Sequence, residues 1–96
     1  MAIQKMTDQE VAQELAKLSG WSLENGKLHR AFQFGDFIEA FGFMSRAALV
    51  AESIGHHPDW SNVWNRVTVD LSTHSIGGIS RLDFQLATKM QALAGK

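Results

Sequence analysis

Apolar and polar positions along the chain fall into seven segments with two different periods. Thr7-Asp8-Gln9-Glu10 has the T-x-x-E spacing of a capping box, and Val11, Leu15 and Leu18 follow at helical intervals. Gly20 is a natural stop for that helix. The run WSLENGKLHRAFQF then reads as two short strands about Asn25-Gly26. Both central positions of a tight hairpin turn need positive φ, which Asn and Gly tolerate. Leu28, Phe32 and Phe34 share one face of the second strand, and Arg30 interrupts that face.

Asp36 is placed to cap a second helix. Its spacing predicts one apolar stripe of Phe37, Phe41, Met44 and Ala48, widened by Ile38, Ala40 and Leu49. Glu39, Arg46 and Ser53 are left as a narrow polar edge, so this helix is expected to be largely buried. Gly55 ends it. Further on, Val67, Val69 and Leu71 alternate with Arg66, Thr68 and Asp70, the period of a half-buried strand. DWSNV is its expected hairpin partner, through a turn at Trp64-Asn65. Gly77-Gly78 breaks the chain, and Ser80 caps a final helix with the stripe Leu82, Leu86, Met90 and Leu93.

The order is therefore α-β-β-α-β-β-α. Strands that alternate cleanly have one covered face, so the economical architecture is an α+β two-layer sandwich: a four-stranded antiparallel sheet with three helices on one face. The 96 residues suit a single domain, residues 1–96, with one modest core. So short a chain with open sheet edges is expected to self-associate, as a homodimer or homotetramer.

Composition narrows the function classes. Cysteine is absent, which removes disulfides and thiolate metal sites and fits a reducing compartment. The net charge is −1 with no Lys/Arg cluster, so direct nucleic-acid binding is not expected. The N-terminal MAIQKMTDQE has no apolar h-region, and the longest apolar run, AALVA, is far short of the roughly 20 residues that span a bilayer. Neither signal peptide nor membrane association is expected, and the expected location is the cytoplasm.

The candidate chemistry lies in GHHPDWSNVWNRVTVDLSTH, residues 55–74, which holds three of the 4 histidines. Gly55 places His56 and His57 just past a helix C-terminus, where unpaired carbonyls favour a protonated imidazole. Glu52, four residues before His56, can add to that field. Pro58 biases His57 toward extended backbone and stiffens the corner. A hairpin between 57 and 74 can return His74 to the same corner, with Trp60 and Trp21 as a flat apolar wall. The plainer readings are a helix cap for the histidines, a core role for the tryptophans, and a capping box for Ser80 and Asp83. Bound zinc is not expected: H-E-x-x-H spacing is absent and the adjacent histidines diverge.

The run E-x-x-x-H-H-P-x-W-x-x-V-W-N-x-V-x-V-x-L-x-T-H from Glu52 to His74, followed by G-G-I and Asp83, closely resembles the pterin-4a-carbinolamine dehydratases, also known as dimerisation cofactors of a homeodomain transcription factor. The resemblance implies loss of water from 4a-hydroxytetrahydropterin to give quinonoid dihydropterin, in recycling of the cofactor used by aromatic amino-acid hydroxylases. It implies no metal and no organic cofactor, the pterin being substrate. Carried over, the catalytic histidines are His56, His57 and His74, with His57 and His74 moving protons at the 4a-hydroxyl and His56 serving the other face. The substrate-contacting set is Gly55, His56, His57, Trp60, Ser72, Thr73, His74 and Ser75, with Glu52 and Asp83 as acids that orient the imidazoles. Some relatives have an acid where this chain has Gly55, and some animal members a cysteine at Ile76. The competing expectation is an oligomeric module that binds a protein partner and needs no catalysis.

Overall fold

The computed structural model describes residues 2–95. Its elements are α1 (Asp8–Leu15), β1 (Ser22–Glu24), β2 (Lys27–Gln33), α2 (Phe37–Ile54), β3 (Asp59–Val63), β4 (Arg66–Leu71), a 3₁₀ turn (His74–Ile76) and α3 (Arg81–Ala94). Each helix starts where a side chain can accept the free amides of its first turn. Thr7 and Glu10 form a reciprocal capping box on α1, Asp36 caps α2, and Ser80 and Asp83 form the box on α3.

The strands form one antiparallel sheet in the order β1-β2-β4-β3. Asn25 and Gly26 both have positive φ (52° and 75°), as a tight hairpin turn demands. The second hairpin turns at Trp64-Asn65, where Trp64 itself has φ 48°. Asn62 Nδ2 donates to the Trp64 and Arg66 carbonyls, and Asn65 ties the turn to Phe34 in both directions. Those side-chain bonds support a conformation that a bulky residue rarely adopts.

The central pair β2 and β4 sets Leu28 opposite Leu71, Arg30 opposite Val69 and Phe32 opposite Val67. Directly opposed residues share a face, and here it is the face under the helices. Leu28, Phe32, Val67, Val69 and Leu71 are essentially inaccessible and pack with Phe43, Leu86 and Met90. Phe32, Phe34 and Phe43 interlock at ring centroid separations of 4.9 to 6.1 Å. Arg30 interrupts the apolar face without leaving it. Its guanidinium lies 4.4 Å over the Phe32 ring and donates to Gln91 Oε1 and the Ser19 carbonyl. Burial pushes the Arg30 pKa below its ordinary value.

Two helix faces differ from the sequence expectation. On α2 the buried positions are Ala40, Phe43, Ala47 and Ala51, whereas Phe37, Ile38, Phe41 and Leu49 are exposed, Ile38 by 79%. The physical reason is steric: alanines let the helix axis approach the sheet and α3 closely, with Phe43 filling the gap. On α3 Leu86 and Met90 are buried as the stripe requires, but Phe84, Ala87 and Asp83 join them, and Leu82 and Leu93 stay half-buried. No helix among the described residues is long and apolar enough to cross a membrane.

Candidate active site

Two chain segments meet beyond one end of the sheet. The first is the corner between α2 and β3. Gly55 takes the left-handed conformation (φ 64°), and the amide of His56 returns to the Ala51 carbonyl at 3.0 Å, closing the helix in a Schellman-type arrangement. The second is the segment after β4, where Thr73 and Gly78 form an isolated bridge around the 3₁₀ turn carrying His74. Because β3 and β4 are hydrogen-bonded neighbours, the start of one and the end of the other lie side by side.

Between the two segments lies an open cleft of about 330 Å³. Gly55, His56, His57, Pro58 and Asp59 line one side, Ser72, Thr73, His74 and Ser75 the other, with Ile3 and Leu82 supplying apolar surface. All three histidines picked out by the sequence motif therefore face one hollow. A larger depression of about 440 Å³, between residues 2–6 and the start of α3, holds no histidine.

Each of the three imidazoles has its own carboxylate. His56 Nε2 is 2.5 Å from Asp83 Oδ1, His57 Nε2 2.8 Å from Glu52 Oε1, and His74 Nε2 3.4 Å from Asp59 Oδ2. In every pair Nε2 meets the acid, and Nδ1 has no protein partner among the described residues. The surroundings differ sharply. Asp83 is fully buried and its histidine nearly so, whereas the Glu52 and His74 side chains are 80% and 74% exposed. Asp83 also accepts from the Thr73 hydroxyl at 2.8 Å and the Ser80 amide at 2.9 Å, both on Oδ2. It thus completes the α3 capping box with one oxygen and holds His56 with the other.

Asp59 was not legible as a site residue. It lies on the outer face of edge strand β3, where it accepts from Lys27 Nζ at 3.3 Å as well as facing His74. The hydrogen bond from Lys27, aided by the nearby imidazole, holds the Asp59 carboxyl below the usual carboxylate range. The only prior signal is its position directly after H-H-P, and its partners depend on the register of the sheet.

The remaining candidates do not line the cleft. Trp60 pairs with Val69 on the core-facing side of β3 and packs half-buried on the core. Trp21 is corrected outright: it is buried in the core, edge-on to Phe32, with Nε1 donating to Gln91 Oε1 at 2.8 Å. An indole that reaches its hydrogen-bond partner inside the core has no reason to face a cleft. Glu52 stands beside His57 rather than His56, and Asp83 sits behind His56. The fourth histidine, His29, is paired with Asp70 at 2.8 Å on the outer face of the sheet, away from the cleft lining. No group of three or more His, Asp or Glu side chains among the described residues is placed to hold a metal ion.

Residues 4–93 match the family model for pterin 4 alpha carbinolamine dehydratase. The chain belongs to that family. A relative from Solibacter usitatus, provisionally named a pterin-4-alpha-carbinolamine dehydratase, is 56% identical over 90 residues, covering 94% of this chain and 95% of its own. A Chelativorans relative with the same provisional name is 51% identical across the whole of both chains. Among solved structures, a transcriptional coactivator/pterin dehydratase from Brucella melitensis superposes with a TM-score of 0.93 at 47% identity, over 96% of this chain and 100% of that one. A pterin dehydratase-like protein identified as a RuBisCO assembly factor in the α-carboxysome shares the fold, with a TM-score of 0.65 at 23% identity. The pterin dehydratase fold thus frames the cleft, and this chain's H-H-P and T-H segments supply its three imidazoles.

Proposed function

We propose that this member of the family dehydrates a 4a-hydroxytetrahydropterin to the quinonoid dihydropterin, recycling reduced pterin for aromatic amino-acid hydroxylases. In that elimination the C4a–O bond breaks and the oxygen leaves as water, taking a proton from an acid. N5 gives its proton to a base, and its electron pair forms the new bond to C4a. Acid and base need only exchange one proton each, which imidazoles do near neutral pH without metal or organic cofactor. The observation that carries the reading is the convergence of His56, His57 and His74 on one cleft in a chain of this family. His57 and His74, both exposed beside a carboxylate, are assigned to proton transfer at the 4a-hydroxyl, and His56 to the opposite face of the ring. Backbone groups of Gly55 and Ser72 to Ser75 line the cleft where the polar edge of a pterin would bind.

The test is turnover of a panel of 4a-hydroxypterins by purified protein, with the non-enzymatic rate subtracted. Acceleration for at least one pterin supports the reading and names the substrate. No acceleration for any member of the panel overturns it.

A second reading is favoured by the α2 surface. Phe37, Ile38, Phe41 and Leu49 leave an apolar stripe open to water, and the B. melitensis neighbour is described as a transcriptional coactivator as well as a dehydratase. Such a stripe marks an interaction surface. We propose a homodimer or homotetramer in the cytoplasm, with a protein partner competing for the same helix. Gel filtration of wild type and Ile38→Glu, with and without candidate partners, tests it. An unchanged, monomeric elution volume in both proteins would refute self-association.

A further inference from the structure

Behind the cleft, four side chains form a closed hydrogen-bond chain whose direction can be worked out. Ser80 Oγ accepts from the Leu82 amide at 3.2 Å and lies 2.7 Å from Thr73 Oγ1. Thr73 Oγ1 in turn donates to Asp83 Oδ2 at 2.8 Å. A hydroxyl has one hydrogen, so Thr73 must accept from Ser80, and Ser80 donates to Thr73. Every hydrogen therefore runs toward Asp83, whose carboxylate is the terminal acceptor. Oδ2 is occupied by Thr73 and the Ser80 amide, which leaves Oδ1 for His56 Nε2.

The carboxylate at the end of that chain determines the tautomer of the ring. A carboxylate at the end of a chain of donors accepts, so Nε2 carries the hydrogen facing it. In the neutral imidazole, Nδ1 is then the acceptor. Nδ1 has no protein partner, yet no buried side-chain nitrogen or oxygen among the described residues lacks one. Nδ1 is therefore not sealed in the core, and His56 lines the cleft.

We propose that Thr73 is a positioning residue: its buried hydroxyl orients Asp83, and through it holds His56 as the tautomer that offers Nδ1 to the cleft as a proton acceptor. Thr73 is only 4% exposed, so its hydroxyl serves this chain rather than a ligand. The proposal rests on the dehydratase reading for its catalytic consequence, but the tautomer does not depend on it.

The experiment is ¹⁵N NMR of the histidine-labelled full chain, with the His56 signals assigned by His56→Gln. The wild type should show hydrogen on Nε2 and a bare Nδ1 in the neutral ring. In Thr73→Val the His56 ring should populate both tautomers, and kcat should fall about tenfold or more with KM little changed. Thr73→Ser should restore both readouts. A wild-type ring carrying its hydrogen on Nδ1 overturns the proposal without any variant. So does a Thr73→Val protein that keeps the Nε2–H tautomer. If the tautomer behaves as stated but no pterin is turned over, the positioning role stands and the dehydratase reading fails.

Discussion

His56–Asp83 and His57–Glu52 are the same chemical pair built on adjacent histidines in opposite environments. The first has an acid with no solvent exposure and three protein donors; the second has an acid at the surface with one. A buried pair is stable only when the rest of the acid is also hydrogen-bonded, and Thr73 and the Ser80 amide supply those bonds on Oδ2. An exposed pair is screened by water and contributes little to folding. The difference separates one ring held at the back of the cleft by a buried acid from two rings whose acids stand in water. His74–Asp59 resembles the exposed pair, at a longer distance.

The largest effect should come from breaking the buried pair. Asp83→Ala is expected to cost about 3–5 kcal/mol, a large part of what a small domain possesses, because it strands His56, Thr73 and the Ser80 amide together. Urea unfolding followed by tryptophan fluorescence gives the value; a loss below about 1 kcal/mol would mean the burial contrast has no energetic meaning. Next, His57→Ala and His74→Ala should each lower turnover by about 10²–10⁴ while leaving stability within about 0.5 kcal/mol of wild type. Full activity in both variants would remove the catalytic assignment from the exposed rings. Glu52→Ala should change stability by only about 0–1 kcal/mol, and the ratio of its effect to that of Asp83→Ala measures the contrast directly.

The smallest effect concerns Asp59. Its folded-state pKa is depressed, first by the hydrogen bond from Lys27 and then by His74. A depressed carboxyl contributes stability at pH values above its unfolded pKa, and that contribution is lost as pH falls through the lower folded value. Lys27→Met should move the Asp59 midpoint back up toward the ordinary carboxylate range in a carboxyl-detected NMR titration. An unmoved midpoint would mean that Lys27 and Asp59 do not interact in solution.

Much of the fold was legible because its signals are local. Thr7/Glu10 and Ser80/Asp83 announce helix starts, Asn25-Gly26 announces a hairpin, and Val67, Val69 and Leu71 alternate against polar neighbours. The orientation of α2 was not legible. A helix apolar on nearly every side carries no strong preference for one face, and the choice fell to the small alanines that permit close packing. Asp83 presented a different difficulty. Its capping role and its role as a histidine's acid looked like alternatives in the sequence, yet two oxygens of one carboxylate make both bonds at once.

The amino-acid order alone determined the element sequence, the family motif and which three histidines stand near chain corners, since propensity, capping and turn chemistry act over a few residues. Only the tertiary structure decided which acid serves which ring, that Asp59 joins the cleft, and that Trp21 belongs to the core. Those outcomes depend on strand register and on which helix face is covered, and both are settled by packing between residues distant in the chain.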